Sequence, residues 1–275
     1  MNITFIGGGN MAAALIGGLV SGGAATRDFR IVDPLAAQRD ILAARFPGVG
    51  LFSDLSAGAI EGAEIAVLAV KPQQMRAAAE ALAPYAALVP VILTIAAGTR
   101  LADLSLWLGG YSRLVRAMPN TPALVGAGIS GLFASLAVDA RNRRNVARVL
   151  EAVGQVIWCE REELLDAVTG VSGSGPAYVF YFLEGLEEAA RELGFNAADA
   201  RTLAYATFAG AIELAQGSSE SSATLRERVT SKGGTTERAL AELDAGAVKR
   251  KFIAAVKAAA ARARELGETV STKAP

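Results

Sequence analysis

Ile3-Thr4-Phe5-Ile6-Gly7-Gly8-Gly9-Asn10-Met11-Ala12 decides the fold of this chain. Four residues of strand-forming character run directly into glycines, and an Ala-rich segment with apolar recurrence at three and four follows over 10–21. Gly7, Gly9 and Ala12 fit the G-x-G-x-x-G/A pattern of a dinucleotide-binding turn. The first glycine permits the turn, the second lets backbone approach a pyrophosphate, and the small third position lets helix pack on strand. Backbone N–H groups and the helix dipole then receive the phosphates. A bare glycine turn is the plainer alternative, and its place between a strand and a helix argues against it.

Working outward, apolar runs at 29–33, 65–70 and 91–96 predict further buried strands, with helices over 36–45, 73–85 and 101–108 between them. Such alternation implies a parallel sheet with right-handed crossovers. Strands at 113–117 and 128–133 flank a Pro-rich turn, and a helix over 139–153 and a strand at 155–159 complete the unit. Beyond 162 only helical periodicity remains, over 176–194, 197–216, 221–230 and 235–266, the last broken near Gly246. Gly194, Gly217 and Gly246 stand where C-terminal caps are expected. The expected fold class is α/β: a Rossmann-type parallel-sheet domain over 1–160, then an all-helical domain over 161–275. Helix 176–194 is apolar nearly all round, so it should be buried on every side. So thin a helical domain cannot do that alone, and an obligate homo-oligomer is expected.

Composition excludes several functions. Lys plus Arg and Asp plus Glu number 27 each, so no basic excess invites nucleic acid or an anionic membrane. Arg141, Arg143, Arg144 and Arg148 read as a solvated helix face. With no histidine and a single cysteine, Cys159, neither a zinc site nor an intrachain disulfide is expected. The opening residues carry no basic, then apolar, leader, and every apolar run is interrupted before spanning length. A cytoplasmic protein with no membrane partner is the expectation.

Ligands of open α/β sheets sit off the carboxyl ends of the strands, and the candidates cluster there. Asp33 stands where an acid would meet the adenosine ribose, or it caps the next helix; Arg39 would offset its charge towards a phosphate. Cofactor preference therefore stays open between NADH and NADPH. Ala69-Val70-Lys71-Pro72 ends a central strand, placing a cation near phosphate or substrate. Ala96-Ala97-Gly98 leaves room for a nicotinamide ring, and Asn120, between Pro119 and Pro122, bonds the carboxamide or orients backbone. In Val171-Ser-Gly-Ser-Gly-Pro176 the glycines read chiefly as packing residues. In Thr230-Ser-Lys-Gly-Gly-Thr-Thr236, the N–H groups of Gly233, Gly234 and Thr235 with the Ser231 hydroxyl predict a carboxylate nest. Thr236 is placed to offer its hydroxyl to a substrate heteroatom. Reducing a ketone calls for a donor such as His, Lys or Tyr, whereas a protonated imine already accepts hydride. The missing histidine thus favours C=N, with Lys71 and the tyrosines keeping C=O open.

Taken together, Ile6-Gly-Gly-Gly-Asn-Met11, Ala69-Val-Lys-Pro72, Ala96-Ala-Gly98, Arg116-Ala-Met-Pro-Asn-Thr-Pro122, Val171-Ser-Gly-Ser-Gly-Pro-Ala-Tyr178 and Ser231-Lys-Gly-Gly-Thr-Thr236 resemble the pyrroline-5-carboxylate reductases across essentially the whole chain. The resemblance implies hydride transfer from NADPH or NADH to 1-pyrroline-5-carboxylate, giving L-proline, by a subunit with a helical dimerisation domain that assembles as a dimer or as a decamer. It implies pyrophosphate contacts from Gly7, Gly9, Asn10 and Met11, and ribose and nicotinamide contacts from Lys71, Pro72, Ala97 and Asn120. Ser231, Gly234 and Thr235 would bind the substrate carboxylate, Thr236 the ring nitrogen as proton donor or relay, and Glu162 would lie near the substrate. Lys232 departs from the family, where proline is frequent. The rival readings are a β-hydroxyacid-type dehydrogenase with a lysine acid, and a non-catalytic dinucleotide-binding module.

Overall fold

The computed structural model describes residues 1–272, so the last three residues of the predicted second domain lie outside it. Eight strands form one sheet: β1 (Ile3–Ile6), β2 (Phe29–Val32), β3 (Gly50–Phe52), β4 (Ile65–Leu68), β5 (Val91–Thr94), β6 (Leu114–Met118), β7 (Gly128–Ala134) and β8 (Gly154–Trp158). Their spatial order is β3-β2-β1-β4-β5-β6-β7-β8. The chain builds outward from β1 to one side, then returns to β4 and builds to the other, which opens a crevice at the carboxyl ends of β1 and β4. All pairs are parallel except β6 with β7. That pair departs from the parallel pattern of the rest: its connection is a Pro-rich turn with no crossover helix, and only antiparallel neighbours can be joined that way.

Helices α1 (Asn10–Ser21), α2 (Ala36–Arg45), α3 (Ala57–Ile60), α4 (Met75–Leu82), α5 (Leu101–Trp107) and α6 (Ala140–Glu151) cover the sheet. Because strand side chains alternate, two cores form. Ile3, Phe5, Val67 and Leu93 pack with Leu15 and Val149 on one face; Ile6, Ala66, Leu68 and Ile92 pack with Met75 and Leu104 on the other. Both faces being covered explains why the strands read as continuous apolar runs. The predicted strands 29–33, 65–70 and 91–96 end one or two residues early, because their last residues have already turned into the loops that matter. Pro84 ends α4, so the helix predicted to 85 finishes as a 3-10 turn, Ala83–Leu88. β3 and α3, three and four residues long, escaped the sequence reading.

By contacts the chain divides into Met1–Ser174 with the stretch from Ala258 onward, and Gly175–Lys257. Segment 161–174 therefore joins the sheet unit, beyond the boundary expected at 160. It does so because α7 (Leu164–Val168) buries Leu165 fully and Val168 lies against Gly131, where a Cβ would come within 2.7 Å. The second unit holds α8 (Gly175–Glu192), α9 (Ala197–Gln216), α10 (Ser222–Arg228), α11 (Thr235–Ala245) and the start of α12 (Val248–Thr272). The break near Gly246 is present, but Gly246 itself is right-handed and Ala247 takes the positive φ of 52°. In a single subunit α8 is not buried on every side: only Leu183 is covered, while Phe180 and Tyr181 are 63% and 72% exposed.

Candidate functional site

Register places the nucleotide candidates side by side. Ile6 lies opposite both Val32 and Leu68, so Gly7, Asp33 and Ala69 emerge together at the edge of the crevice. Gly7 has φ of +97°, and a Cβ there would sit 2.8 Å from Ala69 O, so only glycine fits. Gly9 caps α1 without a side-chain bond, and a Cβ on it would meet nothing within 4 Å. No acid stands in the first turn of α1 to take up the N–H groups of Asn10 and Met11. Ala12 is fully buried, as its packing role requires. Lys71 is exposed, its side chain makes no hydrogen bond or ion pair among the described residues, and Pro72 opens a 3-10 turn beside it. This cradle fits a dinucleotide pyrophosphate.

Asp33 holds the loops around it. It is 8% exposed; Oδ2 accepts from Gly8 N at 2.9 Å and Oδ1 from Leu35 N at 3.0 Å. The carboxylate therefore fastens the glycine loop to the end of β2, and the N-cap of α2 is Leu35. Arg39 Nη1 donates to Asp33 O at 2.7 Å, and Gln38 Nε2 donates to Gly8 O at 2.6 Å. Arg39 is thereby held beside the end of β2 with no carboxylate partner among the described residues.

Asn120 is likewise committed to backbone. Its Oδ1 accepts from Ile129 N at 2.9 Å and its Nδ2 donates to Ser172 O at 3.2 Å, stitching the Pro-rich turn to β7 and to a π-helical turn, Thr169–Gly173. A Cβ on Gly173 would lie 2.8 Å from Met118 Cε, so this glycine serves close packing, whereas a Cβ on Gly175 would meet nothing within 4 Å. Ala97 is half-buried beside Gly98, whose φ is +77°. Glu162 Oε1 accepts from Leu101 N at 2.9 Å and Arg116 Nη1 at 3.0 Å, so this oxygen is occupied within the sheet unit.

In the second unit, Ser231-Lys232-Gly233-Gly234 forms a turn closed by Gly234 N donating to Ser231 O at 3.0 Å, with Gly233 at φ of +73°. Gly233 N donates to Glu237 Oε2 at 2.7 Å, a capping arrangement in which the third helical residue reaches back over the start of α11. Two of the three amides predicted for the nest are thus used internally. Thr235, Thr236 and the Ser231 hydroxyl remain, and the Ser231 side chain leans over Gly234 so closely that a Cβ there would collide with its Oγ. Glu237 as the residue that fills the turn is absent from the sequence reading; its capping-box spacing from Gly234 was the available sign.

Among the described residues there is no cluster of metal-ligating side chains and no helix long and apolar enough to cross a membrane. Burial raises the Cys159 thiol above its usual range.

A glycine turn at the switch point of a mainly parallel sheet, followed by helices, is the arrangement of a dinucleotide-binding protein of two-domain type. Residues 2–98 match the family described as NADP oxidoreductase coenzyme F420-dependent, and residues 162–266 match pyrroline-5-carboxylate reductase dimerisation. A pyrroline-5-carboxylate reductase of Pseudomonas aeruginosa is 43% identical over 266 residues, covering 97% of each chain. The solved structure of a Coxiella burnetii pyrroline-5-carboxylate reductase superposes with a TM-score of 0.91 at 39% identity, covering 96% of this chain and 98% of that one. The Plasmodium falciparum pyrroline carboxylate reductase with NADP bound gives 0.85 at 25% identity, covering 97% and 98%. The chain belongs to the pyrroline-5-carboxylate reductase family.

Proposed function

We propose that this protein reduces 1-pyrroline-5-carboxylate to L-proline with NADPH or NADH, the last step of proline synthesis. The observation that carries the reading is the match of both halves in one chain: the cradle of Gly7, Gly9, Asn10 and Met11 and the hydroxyl-rich head of α11 lie in a sequence 43% identical end to end to a reductase of that name. When bound in the cradle, the reduced nicotinamide supplies a hydride to the imine carbon. The chain's own residues do the rest. Asn10 and Met11 amides at the head of α1 hold the pyrophosphate. Ala69, Lys71 and Pro72 border the ribose, Ala97 gives the ring a flat, small-residue seat, and Asp33 and Asn120 set the loops around it. The Ser231 hydroxyl and the Thr235 amide, in the turn that Gly234 shapes, hold the substrate carboxylate at the head of α11, whose dipole favours an anion. The Thr236 hydroxyl bonds the ring nitrogen and relays its proton, so the carbon gains hydride while the nitrogen keeps the proton as the amine forms.

The exposed face of α8 supports self-association, with a dimer as the unit and a decamer as a higher assembly, and a cytoplasmic location accords with this chemistry. Absorbance loss of NADPH and NADH with the imine tests the activity. Turnover is expected in the wild type, and Thr236→Val is expected to lose about 10²-fold in kcat, the lower range for a positioned proton donor. No oxidation of either cofactor would reject the reductase reading, and full activity in Thr236→Val would reject only that residue's role.

A further inference from the structure

Beneath the Ala97-Gly98 turn lie charges that the steps above leave unused. Arg116, on β6, is 1% exposed, and a guanidinium so far from water persists only if paired. Glu162 Oε1 stands 3.0 Å from its Nη1 and Asp166 Oδ1 3.5 Å from its Nη2. Asp166 Oδ2 also accepts from Arg100 Nη2 at 2.6 Å. Two cations thus face two carboxylates, and the cluster is neutral. Glu162 Oε1 further accepts from Leu101 N, the first residue of α5, whose N-cap Arg100 makes no side-chain cap bond. A carboxylate from distant sequence therefore caps the helix that begins at the turn.

The turn is gripped from a second direction. A Cβ on Gly267 of α12 would lie 3.3 Å from both Gly98 O and Arg100 Nε, so the helix backbone rests against residues 98–100. Thr99 Oγ1 and Arg100 Nη1 are buried without a hydrogen-bond partner. Residues 98–101 are therefore held by the cluster and the helix at a local polar cost.

We propose that Glu162, Arg116, Asp166 and Arg100 form a neutral bracket that positions the Ala97-Gly98 turn against the nicotinamide, so that Glu162 acts through Arg116 and the turn without touching the imine. It rests on the reading that Ala97 seats the ring. The four are positioning residues, and their loss should misplace the hydride donor while the substrate carboxylate is held as before.

The test uses the full chain in Glu162→Gln, Asp166→Asn and Gly267→Ala, the last leaving all four charges intact while crowding Gly98 O. Wild-type turnover with NADPH and the imine first establishes the reaction itself, separately from the proposal. Each variant is then measured for kcat, for KM of cofactor and imine, and for the primary isotope effect with NADPH deuterated at the transferred position. In all three, kcat is expected to fall about 10- to 100-fold with a changed isotope effect, as a small misplacement of reacting atoms produces. The KM for imine should stay within about twofold. If Glu162→Gln instead raises the imine KM tenfold or more with the isotope effect unchanged, Glu162 is a substrate ligand and the proposal fails. It fails equally if Asp166→Asn and Gly267→Ala behave as wild type. Should Glu162→Gln or Asp166→Asn not fold, Gly267→Ala alone decides by the same criteria.

Discussion

Asp33 shows what a single residue's place in sequence conveys and what it hides. Its position after β2 was legible; its two bonds to Gly8 N and Leu35 N were not, because they depend on where the glycine loop folds back. Arg39 is the cation held near the end of β2, placed to discriminate cofactors by charge. Arg39→Ala is expected to raise the KM for NADPH about tenfold or more, the worth of one charge-assisted hydrogen bond, while the KM for NADH hardly changes. Equal effects on both cofactors would show that Arg39 does not meet the 2′-phosphate. Asn120 and Glu162 teach the same lesson, since hydrogen bonds across tens of residues leave no local pattern. Cys159 adds a pH signature: burial raises its thiol, so alkylation should be slow at neutral pH and accelerate only above the usual thiol range. Rapid labelling at pH 7, followed by mass spectrometry, would contradict that environment.

Elements were read well where apolar period and length agreed, as in β1, α1, α2 and α9, and poorly where an element is a few residues pinned by others. β3 carries three half-buried residues on a sheet edge, and α7 with the π-helical turn is set by Leu165 and Ser172. The break between α11 and α12 was foreseen at Gly246, yet Ala247 bears the left-handed conformation. Ala247→Gly should therefore stabilise the protein, by about 1 kcal/mol at most, offset in part by the looser unfolded chain. A lowered melting temperature would contradict it. In the turn before α11, Lys232 precedes the positive-φ Gly233, the position where proline presets a turn of this type. Lys232→Pro is expected to add about 0.4–1 kcal/mol by restricting the unfolded chain. Destabilisation would mean that its N–H or φ is needed as it is.

At the scale of the molecule, the mainly parallel sheet and the helical second unit were implied by the alternation of runs, whereas the strand order, the antiparallel β6–β7 pair and the attachment of 161–174 to the sheet unit were not. The last two depend on a proline turn and on a buried ionic cluster whose members are scattered along the chain. The apolar face of α8, with Phe180 and Tyr181 uncovered in one subunit, accords with the dimerisation family matched over 162–266. Phe180→Asp with Tyr181→Asp should yield monomers in light scattering, since each buried aromatic contributes roughly 1.5–3 kcal/mol to such an interface. An unchanged mass would place the interface elsewhere. Oxidation of NADPH by 1-pyrroline-5-carboxylate, with proline identified as product, bears most directly on the function. The wild-type protein is expected to form one L-proline per NADPH or NADH consumed, and a purified, folded protein that consumes neither cofactor would contradict it.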